Sequence, residues 1–448
     1  MRLFLAAAAL RSAAAANPIT LSVSPTGTYS LSAPGGWLLT GFPLRARFNG
    51  TWLSAADGGL VQAAPPSSWV GTDAWGAFNA TTFAWATPAS PAAALLEATF
   101  LLYADSPAVG FRLAYPRGAH VGGALNDSDG LAAEFPAFAL DGGGAGLGYL
   151  QWTGTMLNNN DDAGPMGGAW AAGANISGGL ASGPVALFDR AAAHSLLLSP
   201  SSSFMGVSAA GAGAGAGGAV GWGPLGSAGD IPAGWAYDCV AWYGATINAN
   251  MMAWGGALLR RHGKAAGQSK ADFTNSHLGY NTDNGAFYYY NTGAYENYSV
   301  ALPAVYDYAV SQGIPYRHVL LDSYWYYKDD SAPKHRGGVV NWTAQDFAPY
   351  FTGGNAGLRA LVNTTGWKII AHNRYWSRIT TYAKQNGGKY DFYVDPDPAK
   401  YALPLEQAFW TDLLTSAVAE WGLTTYEQDW LREFFLLIIH FHTHLLHI

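Results

Sequence analysis

The order of apolar and polar positions changes character near residue 250. Before it, short apolar runs with strand character recur between turn-forming residues. The clearest pair is Ala98–Tyr103 and Val109–Tyr115, joined by Ala-Asp-Ser-Pro. Asp and Ser bond to nearby backbone and Pro fixes φ, so this connection predicts a turn between two strands. Many short strands with few helical stretches predict an all-β sandwich over residues 17–250. The Gly/Ala run at 209–219 is of low complexity and predicts a surface loop. No Gly-Lys-Ser/Thr follows it, so it is not a phosphate loop.

After residue 250 helix and strand patterns alternate. Met251–Lys264 predicts a helix within a linker at 251–270, with Arg260, Arg261 and Lys264 near its C-terminal end, where cations oppose the macrodipole. His277–Tyr280 predicts a strand, followed by a polar and aromatic stretch from Asn281 to Tyr290. Tyr298–Val310 has helical spacing, and Gly313 suits its C-terminal cap. Arg317–Leu321 predicts a buried strand that runs into Asp322. A helix is expected near Gly357–Asn363. Trp367–Ala371 predicts a third strand, followed by His372-Asn373-Arg374. Leu405–Glu420 predicts a helix with Gly422 behind it, and Leu423–Tyr426 a fourth strand leading to Glu427-Gln428-Asp429.

Four strand-then-helix units in series imply a parallel sheet. Asp322, His372-Asn373 and Asp429 all fall just past the C-terminal end of a strand, the rim where a (β/α) barrel keeps its active site. A dinucleotide-binding sheet also places ligands there, but no Gly-x-Gly-x-x-Gly follows the first strand. The expected fold class is therefore β plus α/β: an N-terminal β-sandwich, then an incomplete TIM-type (β/α)8 barrel, about half of one, over residues 271–432.

Composition narrows the function. The chain has 448 residues, 50% of them apolar and 12% charged, with a formal net charge of -7. That length suits two domains. The charge balance excludes a nucleic-acid partner, which needs a basic surface. The apolar content excludes disorder. Trp and Tyr are abundant; such side chains fill β-sandwich cores and also stack on sugar rings. Cys239 is the single cysteine, which rules out a disulfide framework and cysteine-based zinc sites and reads as a buried thiol. No cofactor is expected.

Residues 1–16 read as a signal peptide: Arg2, the apolar Leu3–Leu10, and Ala14-Ala15-Ala16 before Asn17. That run is too short to span a bilayer and no twenty-residue apolar stretch follows, so no membrane span is expected. Asn49, Asn79, Asn126, Asn175, Asn297, Asn341 and Asn363 stand in Asn-x-Ser/Thr triplets. Chance would supply roughly two or three, taking Ser/Thr at about one position in eight. The expected location is outside the cell or in the secretory lumen.

Three motifs in order carry a resemblance: Leu278-Gly279-Tyr280-Asn281-Thr282-Asp283, Leu320-Leu321-Asp322-Ser323-Tyr324-Trp325, and Thr425-Tyr426-Glu427-Gln428-Asp429. Over residues 275–430 the chain resembles the α-galactosidase and raffinose-synthase-like glycoside hydrolases. The resemblance implies a β-sandwich followed by a (β/α)8 barrel, and a retaining mechanism on O-glycosidic bonds of the α-galactoside type. By it, Asp429 matches the nucleophile and Asp322 an acceptor of sugar hydroxyls. Asp283, Trp325, His372, Asn373 and Arg374 are the further candidates for contact with the sugar. Read from the residues alone, Asp429 could also cap a following helix and Asp322 a turn.

The chain departs from the family at Ser323, where a second acidic residue is usual, and at Glu427, where Lys is common. The family's general acid/base follows a sixth strand, and only four are predicted here. From Glu433 the tail is anomalous: an apolar run at Phe434–Ile439, then His440, His442, His444 and His447. The reading is a glycoside hydrolase-like protein, truncated and without useful turnover as it stands, whose partner is an oligosaccharide, polysaccharide or glycoside. The alternative is a non-catalytic secreted saccharide-binding protein.

Overall fold

A computed structural model describes residues 17–122, 130–144, 146–153, 164–179, 182–189, 191, 193–211, 218–265, 267–329, 337–395 and 401–430. The expected signal peptide, Asn126, the Pro396-Asp397-Pro398 segment and the histidine-rich tail lie outside the described residues. The chain divides into two units, the second starting at Gly267.

The first unit is built on a large antiparallel sheet. Its main strands are β1 (Gly76–Ala86), β2 (Leu96–Tyr103), β3 (Ala108–Tyr115), β4 (Gly148–Thr153), β5 (Gly164–Ala169), β6 (Val185–Phe188), β7 (Ser195–Pro200) and β8 (Trp235–Gly244). They lie in the order β5-β4-β6-β7-β8-β3-β2-β1, and two further short strands pair along β1. The hairpin predicted over Ala98–Tyr115 is β2–β3. Because side chains alternate between faces, Phe100, Phe111 and Cys239 meet in one cross-strand row. That face is buried against three small antiparallel sheets that contribute Leu31, Trp37, Leu39, Ala46, Phe138, Val220 and Trp222 to the same core. Tyr29 links the two layers. Its ring lies 5.1 Å from Phe100 and 5.7 Å from Phe138, and its hydroxyl donates to Ala137 O at 2.7 Å.

The opposite face of the large sheet is covered by helix α1 (Ile247–Arg261), which starts four residues before the sequence suggests. It is packed on the sheet rather than free between units. Trp75 Nε1 donates to Ala257 O at 2.8 Å, and Arg261 pairs with Asp238 at 2.9 Å and Asp73 at 3.3 Å. The ends of the Gly/Ala run are likewise not loop. Ala210 and Gly211 pair with Gly221 and Val220 inside a sheet, and only residues 212–217 fall outside the description.

The second unit alternates as the sequence predicts: β9 (Gly279–Asn281), α2 (Tyr298–Ser311), β10 (His318–Leu321), α3 (Asn355–Thr365), β11 (Lys368–Asn373), α4 (Gln407–Trp421) and β12 (Leu423–Gln428). The helix boundaries follow local chemistry. Asn297 caps α2 by accepting from Val300 N at 3.2 Å, and Gly366 and Gly422 close α3 and α4 in the left-handed conformation. The strands form one parallel sheet in the order β9-β10-β11-β12, and among the described residues it does not close into a barrel.

A second, five-stranded mixed sheet was not foreseen. It is made of Tyr326–Lys328, Val339–Ala344, Trp376–Ser377, Phe392–Val394 and Tyr401–Pro404, all from the connections that follow β10 and β11. It shares an aromatic core with the parallel sheet. The Trp325 ring lies 5.2 Å from Trp342 and 5.5 Å from Trp421, in tilted or edge contacts of the kind aromatic quadrupoles favour. No helix among the described residues is long and apolar enough to cross a membrane.

Candidate active site

The parallel register assembles the site. Asn281 lies beside Leu320, Leu321 beside Ala371, and His372 beside Glu427. Carried just past the strand ends, it aligns Asp283, Asp322, His372 and Glu427 as one row across all four strands. Asp429 stands two residues beyond Glu427, on the same face, since strand side chains alternate with period two.

His372 is the centre of this row. It is buried, with Nε2 at 3.1 Å from Asp429 Oδ2 and 3.9 Å from Asp322 Oδ2. Its Nδ1 lies 3.0 Å from the Tyr326 hydroxyl. Burial drives the Tyr326 phenol far above its usual range, so it keeps its proton. The N–H at Nε2 donates to Asp429. Asp322 is almost wholly buried, and its Oδ1 accepts from the N–H of Ser323. The Asp429 side chain is 44% exposed.

The carboxyls are tuned apart. Burial raises Asp429, but the hydrogen bonds from His372 and from Trp430 N, with the positive charges of His372 and Arg374, outweigh it and hold Asp429 below the usual range. Burial raises Asp283 above its usual range. The Asn284 N–H opposes this, and the charge and hydrogen bond of neighbouring Asp322 add to it. Glu427 is also raised, chiefly by burial. Trp430, with φ at 53°, holds a left-handed conformation unusual for a bulky side chain.

The other sequence candidates divide. Arg374 is buried and lies over the Trp430 ring at 4.6 Å, close enough to act on Asp429 through its charge. Asn373 points away from the row, as strand alternation requires. Its Nδ2 donates to Gln428 Oε1 at 3.2 Å, in a buried network with Tyr426. Trp325 is fully buried in the aromatic core and has no face to offer a sugar. Both pack within the structure that supports the rim.

Two site residues escape a reading of strand ends. Glu427 lies inside a strand, and Tyr289 lies in the loop after β9, near Asp322, Asp283 and Arg374. The Asn281–Tyr290 aromatic stretch was the signal for Tyr289. Among the described residues no cluster of three His, Cys, Asp or Glu is arranged to hold a metal ion. Asn297, read as a glycosylation acceptor, is buried and caps α2, with Nδ2 at 3.3 Å from Thr352 Oγ1.

The fold is glycoside hydrolase-like. The particular likeness is to the GH36 alpha-galactosidases. AgaA from Geobacillus stearothermophilus, solved with raffinose, superposes with a TM-score of 0.52 at 11% identity, over 87% of this chain and 56% of that one. The galactosidase domain of the alpha-galactosidase-sucrose kinase AgaSK gives 0.51 at 10% identity, over 92% and 65%. AgaB from Geobacillus stearothermophilus gives 0.50 at 12% identity, over 93% and 54%. The chain thus spans a little over half to almost two thirds of their length, and at these identities what is shared is the fold. No family model matches the sequence, and no curated protein matches it.

Proposed function

We propose that the second unit is an arc of a (β/α)8 barrel, and that its rim is the sugar site of a retaining glycoside hydrolase with Asp429 as nucleophile. The observation that carries this reading is the placement of Asp429: ionised, half-open and oriented by His372, one step above a row that includes two further aspartates. Asp429 attacks the anomeric carbon while the bond to the leaving oxygen breaks and that oxygen takes a proton. Water then cleaves the glycosyl ester. Asp283 and Asp322 accept hydrogen bonds from ring hydroxyls, and Tyr289 lines the site. The proton donor implied after a sixth strand lies outside the four described strands.

For the substrate, we propose an α-galactoside. The support is that similar structures were solved with raffinose and stachyose. We also propose a secretory location, supported by the apolar Leu3–Leu10 and by exposed acceptor asparagines at Asn79, Asn175 and Asn363.

A fluorinated galactosyl fluoride tests the nucleophile, because its leaving group needs no proton. Mass spectrometry is expected to find the adduct on Asp429 and none in Asp429→Asn. A chain that binds raffinose yet forms no adduct favours the non-catalytic saccharide-binding reading.

A further inference from the structure

In the row of four side chains, one buried oxygen has no hydrogen-bond partner among the described residues. Glu427 stands in register with His372 on the neighbouring strand, yet His372 directs its Nε2 to Asp429. The Oε2 of Glu427 is buried and makes no hydrogen bond. Around it are Asp283 from the loop after β9, Asp322 from the end of β10, His372 from β11 and Asp429 from its own chain segment. Arg374, the other nearby cation, is stacked on Trp430. Three carboxyls and one imidazole, already engaged, make a second full negative charge at Glu427 costly.

We propose that Glu427 is a specificity-determining residue that holds its proton in the empty site and donates it to an oxygen of the bound sugar. This rests on the sugar-site reading above and deepens it. The ligand class it selects is a neutral sugar that presents an acceptor oxygen beside the carbon attacked by Asp429, because Glu427 and Asp429 are two residues apart on one face. Burial, with the charges of Asp322, Asp283 and Asp429 and against that of His372, keeps the carboxyl above its ordinary range. A buried orphan oxygen gains a partner only when the sugar arrives, so part of the binding preference is set here. Binding that needs this proton is full at low pH and is lost as pH rises through the titration of Glu427.

The experiment is calorimetric titration of the full chain with D-galactose and with raffinose from the ordinary Glu value upward, pH 4.5 to pH 9. Wild type is expected to lose about five- to tenfold in affinity across that range, the worth of one hydrogen bond. Glu427→Gln keeps a donor that does not titrate, so its affinity is expected to be flat. Glu427→Ala is expected to be weaker by a similar factor at the low end of that range. Selective carbon-13 labelling of Glu side chains gives a second measurement in wild type: one carboxyl should titrate above the ordinary Glu range and shift when galactose binds.

An equal fall with pH in folded Glu427→Gln overturns the proposal, as does loss of all binding in that variant, which would mean that an ionised carboxylate is required. If every Glu titrates in the ordinary range, it is overturned even where the variants do not fold. Failure of wild type to bind either sugar at any pH overturns the sugar-site reading itself, and is thereby distinct.

Discussion

Tyr326 sets the imidazole of His372. Their rings lie 5.9 Å apart and within 5° of parallel, and the phenol oxygen is 3.0 Å from Nδ1. Both side chains are buried. The tyrosine belongs to the strand that opens the second sheet, so an element outside the parallel sheet fixes which nitrogen of His372 faces Asp429.

This coupling predicts a pH effect. Asp429 has a lowered folded-state value, so its ionised form persists as pH falls and is lost only when pH passes through that lowered value. His372→Ala removes the largest of the contributions that oppose burial and leaves only the Trp430 N–H and Arg374 against it. The Asp429 titration is therefore expected to move to higher pH, and the acid limb of adduct formation with it. Tyr326→Phe should shift both in the same direction by less, and lower stability by about 1 kcal/mol for one lost hydrogen bond. Carbon-detected titration of Asp carboxyls in the three proteins checks this. An unmoved Asp429 in His372→Ala would break the assigned pairing.

Trp325 is expected to be a stability residue rather than a sugar contact. It is fully buried among Trp342, Trp421 and Tyr326. Trp325→Ala should cost about 3–5 kcal/mol, read as a shift of the urea midpoint. Trp325→Phe should cost less and leave galactose affinity unchanged. A Phe variant of normal stability that no longer binds would return Trp325 to the sugar site.

Helix α1 is held to the first unit by polar contacts as well as apolar ones. Arg261 lies over the Trp75 ring at 4.6 Å, and that indole donates to Ala257 O. Trp75→Phe removes the donor and should lower the protection of α1 amides from hydrogen exchange by about fivefold, the equivalent of about 1 kcal/mol. Protection unchanged across Ile247–Arg261 would show that apolar packing alone secures the helix.

Local signals made much of the fold legible. The Ala-Asp-Ser-Pro turn, the glycines that close the helices, and the switch from short strand runs to helical spacing each act over a few residues. The hairpin, α2, α3, α4 and the four parallel strands appear where these signals put them. The five-stranded sheet was not legible, because its strands are two to six residues long and pair across distances in sequence that no local period encodes.

The candidate site divides in the same way. The sequence by itself determined that Asp322, His372 and Asp429 sit at the ends of successive strands, because an apolar run that ends in polar residues marks the end of a buried strand. The tertiary structure alone decided which neighbours share a face. Register put Glu427 beside His372 and turned Asn373 toward Gln428, and packing sealed Trp325 in the core. The physical reason is that a strand sends successive side chains to opposite faces, so the role of each residue depends on pairing with strands tens of residues away.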